Sequence, residues 1–90
     1  FVSKKKTSTD KINNAMFNAS KEKNLNGILS INNLPLVSID FNHNSSSAIF
    51  DLTQTQVINE KFCRVLAWYD NEWGFSNRMI DTLLDCKSIL

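Results

Sequence analysis

Trp68-Tyr69-Asp70-Asn71-Glu72-Trp73-Gly74-Phe75-Ser76-Asn77-Arg78 is the stretch on which the fold turns, because one hydrophobic period gives way to another across it. Upstream, Phe62, Leu66 and Trp68 alternate with Cys63, Val65, Ala67 and Tyr69. Both faces of residues 62–69 are therefore largely apolar, which predicts a strand in the interior of a sheet. Downstream of Gly74, Phe75, Met79, Leu83 and Cys86 recur at helical spacing, flanked by Ile80 and Leu84. They predict a helix over residues 75–87 with an inward apolar stripe, and Ser76 or Asn77 stands near its start. A strand running into a helix is a unit of an α/β fold, and in open α/β sheets ligand contacts gather at such strand ends. On physical grounds alone the stretch is a polar junction, with Asp and Asn capping the helix while the aromatics fill the core.

Farther upstream, residues 7–23 predict an amphipathic helix. Thr7, Ser8 and Thr9 offer hydroxyl caps, Asp10 suits the positive helix end, and Ile12, Ala15, Met16 and Ala19 share one face. Residues 1–5 read as the end of a strand, and residues 24–27 as the stop, with Gly27 suited to a left-handed turn. Beyond Gly27 the period falls to two. Residues 36–41, 48–52 and 62–69 are rich in β-branched and aromatic side chains between Asn, Ser and Asp clusters, and predict three strands. Pro35 marks the entrance to the first, where a missing amide donor is tolerated, and residues 42–47 form a polar loop. The expected class is α/β with a mixed sheet.

Ninety residues suffice for one small domain, which buries roughly two-thirds of the surface its unfolded chain exposes. Apolar residues make up 42% and charged residues 21%, ordinary globular usage that excludes a fibrous repeat or a disordered tract. A formal charge of +1 supplies no field for steering nucleic acid or an anionic membrane, and Lys4 to Lys6 is too short a basic run to change that. Cys63 and Cys86 lack the spacing of a zinc site or a redox pair and the density of a secreted disulfide scaffold; reduced, cytoplasmic thiols fit. No apolar run approaches the roughly 20 residues of a membrane-spanning helix, and the N-terminus has no signal-peptide core. Phe1 is not an initiator residue, so the chain is expected to begin inside a longer reading frame or to have been processed.

A self-contained active site is not legible. Gly27 and Gly74 stand alone, so there is no glycine-rich phosphate cradle. His43 lies in a polar loop and reads as a surface or capping histidine. Cys63, in an apolar strand, and Cys86, on the helix stripe, read as packing residues, since burial raises a thiol pKa and leaves it inert. Asp40 with Asp51, or Asp70 with Glu72, could be taken for acid/base dyads, but nothing in the spacing sets a separation, and capping or exposure is the better reading. No metal site is expected.

Ala67 through Arg78 resembles the WYDNE-x-G-[YF]-S-N-[KR] signature near the C-terminus of glyceraldehyde-3-phosphate dehydrogenases. Residues 34–43, continuing through Ser47-Ala48-Ile49 and Thr53-Gln54-Thr55-Gln56-Val57, together with Arg78-Met79-Ile80-Asp81-Thr82, resemble the erythrose-4-phosphate branch of that family more than the glycolytic branch. The similarity covers essentially the whole chain, weakly in the first helix and strongly over residues 34–84.

The resemblance implies that residues 1–90 are the C-terminal part of the catalytic domain, with 75–87 the C-terminal helix, and that the N-terminal Rossmann domain lies outside this chain. It implies NAD as cofactor. The family Asn that bonds the nicotinamide carboxamide matches Asn71, whose amide carries donor and acceptor together. Tyr69 matches a pocket-lining Tyr, and Phe75 stands where the family commonly has Tyr, which puts any hydroxyl contact there in question. The family's nucleophilic Cys, its His base and its phosphate-binding Arg and Thr match no position here. The implied whole is a cytoplasmic homotetramer that oxidises a sugar-phosphate aldehyde, erythrose 4-phosphate first and glyceraldehyde 3-phosphate as alternative. A non-catalytic remnant or interaction module is the alternative of another class.

Overall fold

The computed structural model describes residues 1–87. Helix α1 spans Thr9–Ser20; the Ser8 side chain caps it by accepting the Lys11 amide at 3.3 Å, and Asp10 occupies the first turn. It is shorter than the expected 7–23, since Lys21, Glu22, Lys23 and Asn24 present no apolar face to hold a further turn. Gly27 takes φ +79, the left-handed turn its position foretold.

A three-stranded mixed sheet follows, in the order β1 (Leu29–Asn32), β2 (Ala48–Asp51), β5 (Ala67–Trp68). β1 runs parallel to β2, placing Leu29 opposite Ala48 and Asn32 opposite Asp51; β5 runs antiparallel, with Ile49 opposite Trp68. β2 is thus the central strand, and Ile49, Phe50 and Asp51 are all buried. A hairpin of β3 (Gln56–Ile58) and β4 (Phe62–Arg64) forms a second sheet; its turn holds Asn59 and Glu60 at positive φ. The N-terminal segment lies along β4 with one antiparallel bridge from Val2 to Phe62, all that remains of the strand end expected at 1–5.

Two expected strands are revised. Residues 36–41 do not pair; Ser38–Phe41 is a 3-10 turn, because Asp40 accepts the Val37 amide at 2.8 Å and so offers the backbone a local alternative to a ladder. The stretch 62–69 is two strands that part at Val65 and Leu66 and join different sheets. Phe62 is 55% exposed, so this stretch is not the interior strand. A short apolar run is compatible with either arrangement, and pairing partners, not periodicity, chose between them.

α2 spans Asn71–Lys87, beginning four residues before Phe75, so Gly74 lies inside the helix. Ser76 and Asn77 fall in its second turn and not at its cap; Asn77 Nδ2 instead donates to the Trp73 carbonyl at 2.9 Å. Gly74 is the one buried residue of α2. Phe75, Met79, Ile80, Leu83 and Leu84 are exposed, as is Cys86, against the expected inward stripe. Cys63 is buried as read. The radius of gyration, 15.3 Å, exceeds the roughly 12 Å of a compact domain of this length, consistent with an apolar helix face that no described residue covers.

Candidate functional site

Sheet and helix meet at Asp70. Its Oδ1 accepts the Trp73 amide at 3.1 Å and its carbonyl accepts the Gly74 amide at 2.9 Å, which makes it the N-cap of α2. Its Oδ2 accepts the His43 amide at 2.8 Å, from the loop 27 residues earlier. The His43 amide first and the Trp73 amide next hold the Asp70 carboxyl below its ordinary range, outweighing the opposing effect of burial. The His43 ring meets the Trp73 ring edge-on at 5.7 Å.

Beneath this junction lies the polar anchor of the sheet. Asp51, 2% exposed, accepts the Trp68 indole N–H at 3.0 Å, the Thr53 amide at 3.0 Å and the Thr53 hydroxyl at 2.5 Å. Burial alone would raise its carboxyl pKa; bonds from Thr53, Trp68 and Asn32 outweigh burial and lower it. Trp68 also stacks on buried Phe41, centroids 5.4 Å apart. Asp40, Asp51 and Asp70 are therefore structural acceptors, and none forms an acid/base dyad.

Gly74 and Arg78 also bring α2 against the rest of the molecule. A Cβ on Gly74 would stand 3.0 Å from the Ser46 carbonyl oxygen, so any larger residue would need the 42–47 loop to give way by a few tenths of an ångström. Arg78 donates from Nη1 to the Ser47 hydroxyl at 3.2 Å and the Gly27 carbonyl at 3.4 Å. Neither role was legible beforehand, since both depend on a loop far away in sequence.

Tyr69, 67% exposed, joins Ser38, Ile39, Phe41, Asn42 and Asp70 around a shallow cleft of about 220 Å³. A neighbouring cleft of about 210 Å³ is framed by Asn42, His43, Asp70, Glu72, Trp73 and Ser76. Asn71 is the first residue of α2, exposed, lining neither cleft though its neighbours Asp70 and Glu72 do, with no side-chain hydrogen bond to the described residues. Phe75 follows one turn later on the same helix side, 66% exposed and outside both clefts. The structure thus brings Tyr69 and Asn71 to one junction and leaves Phe75 on the open helix face. The Asn71 amide keeps its donor and its acceptor without a partner among the described residues. Among the described residues no cluster of His, Cys, Asp or Glu could hold a metal, and no helix is long and apolar enough to cross a membrane.

The architecture is that of an α/β unit whose mixed sheet delivers a polar strand-to-helix junction to the surface. A model of the glyceraldehyde 3-phosphate dehydrogenase C-terminal domain matches residues 1–71, and the chain belongs to that family. It is 55% identical over 82 residues to glyceraldehyde-3-phosphate dehydrogenase of Xanthobacter flavus, covering 91% of this chain and 24% of that protein. It is 52% identical, with the same coverage, to the chromosomal and plasmid glyceraldehyde-3-phosphate dehydrogenases of Cupriavidus necator. The chain spans about a quarter of the length of these relatives.

Proposed function

We propose that this chain is the C-terminal portion of an NAD-dependent dehydrogenase that oxidises glyceraldehyde 3-phosphate. The observation that carries this reading is the identity, above half over 91% of the chain, to relatives bearing that enzyme's name. Those names favour the glycolytic substrate over erythrose 4-phosphate, which the resemblance of residues 34–43, 47–49, 53–57 and 78–82 had put first. NAD, when bound, supplies the hydride acceptor. Asn71 orients the ring by bonding its carboxamide, and Tyr69 borders the pocket. Covalent chemistry belongs to residues outside this chain, and the whole enzyme is a cytoplasmic homotetramer.

Asn71→Ala in the complete enzyme carrying this C-terminus should raise the NAD KM or lower kcat by about tenfold, the worth of one specific hydrogen bond pair. Unchanged kinetics would remove Asn71 from the site. Comparing kcat/KM for the two aldehydes separates the substrates: a preference for erythrose 4-phosphate would restore the second reading. No turnover of either, with a native polypeptide of only this length, would favour the non-catalytic remnant.

A further inference from the structure

Capping a helix requires one carboxylate oxygen, yet Asp70 uses two. Oδ1 holds the first turn of α2 through the Trp73 amide, while Oδ2 holds the 42–47 loop through the His43 amide. That loop is under constraint: His43 sits at φ 61, a left-handed conformation that is unfavourable for a residue with a side chain. The same loop presses on Gly74, one turn into the helix. Asn71, immediately after Asp70, is thus carried on a turn clamped from both sides.

We propose that Asp70 is a positioning residue, whose bridge between the His43 and Trp73 amides sets the direction in which Asn71 presents its amide to the cofactor. The proposal rests on the reading that Asn71 meets the nicotinamide carboxamide. Serine at position 70 keeps a helix cap and cannot span to both amides, so it separates capping from bridging. Asparagine keeps one acceptor and turns its NH₂ toward the other amide.

The test is a cycle of Asp70→Ser, Asn71→Ala and the double variant in the complete enzyme, with NAD KM, aldehyde KM, kcat and thermal stability measured for each. Asp70→Ser should raise the NAD KM about fivefold, the worth of one net hydrogen bond, with the aldehyde KM unchanged. The double variant should be no worse than Asn71→Ala alone. Full additivity would overturn the proposal, because Asp70 would then act on the cofactor by its own charge. An unchanged NAD KM in Asp70→Ser beside an impaired Asn71→Ala would overturn it too. If Asn71→Ala itself is silent, the cofactor reading of Asn71 fails first and takes this one with it. Should Asp70→Ser fail to fold, Asp70→Asn replaces it in the same cycle, with a smaller rise expected.

Discussion

Asp51→Asn and Trp68→Phe, made singly and together, test whether the buried carboxylate joins the central strand to the edge strand. The Trp68 indole, half-buried, donates to Oδ2 of the buried Asp51 at 3.0 Å. A hydrogen bond to a charged acceptor is worth about 1.5–3 kcal/mol, and a buried donor left without a partner costs about 1–3 kcal/mol. Asn keeps an oxygen for Thr53 and sets its NH₂ against the indole N–H, so Asp51→Asn should cost about 2–3 kcal/mol. Trp68→Phe removes the donor but keeps a ring against Phe41, and should cost about 2 kcal/mol. The double variant has no donor facing a donor and should cost less than the sum by about 1–2 kcal/mol. Native-state hydrogen exchange of the sheet amides in the complete enzyme is the suitable assay, since multidomain chains seldom unfold in one step. Additivity within about 0.5 kcal/mol would refute the argument. The acid limb gives a second check. The folded pKa of Asp51 lies below its ordinary 3.8, so its stabilisation is present above that pH and is lost as pH falls through the lower folded value. The gap between wild type and Asp51→Asn should therefore close in that acid range, and a gap growing toward low pH would reverse the sign.

Gly74→Ala should destabilise by about 1 kcal/mol although alanine is the better helix former, because the new methyl meets the Ser46 carbonyl; a stabilised variant would show that the loop yields freely. Gly27→Ala should cost about 1 kcal/mol from its positive φ alone, as no atom lies within 4 Å of the added Cβ; hydrogen exchange of the following strand reads it. The 90-residue chain expressed alone should self-associate through the apolar face of α2, and Leu83→Lys should shift sedimentation toward monomer. A monomeric parent with cooperative unfolding would contradict this.

Much was legible from local pattern. One of the hydroxyls read at 7–9 caps α1 with Asp10 in its first turn, Gly27 takes the left-handed turn, the strand read at 48–52 forms over Ala48–Asp51, and the polar stretch after Trp68 is a strand-to-helix junction in which an Asp caps a helix that starts four residues earlier than its period suggested. These are decisions between near neighbours along the chain, settled by backbone conformation, capping geometry and side-chain period. β1 and β3 escaped notice because four and three residues carry too little period to be told from loop, although Leu29-Ser30-Ile31-Asn32 does alternate. The residues offered for the cofactor, Asn71, Tyr69 and Phe75, came from resemblance to a family and not from physics, which by itself favoured a structural cap.

Tertiary structure alone decided the rest. Residues 62–69 divided between two sheets because β3 and β2 each claimed a part of them. Phe75, Met79 and Leu83 stayed in solvent because a helical stripe specifies that some surface must cover it, not which one. Asp70 gained its second amide, and Gly74 its close backbone neighbour, only when a loop 27 residues away from Asp70 came to rest against the first turn of α2. Period and propensity are short-range properties of a chain, whereas pairing, burial and close backbone approach are agreements between distant segments that no single stretch of sequence carries.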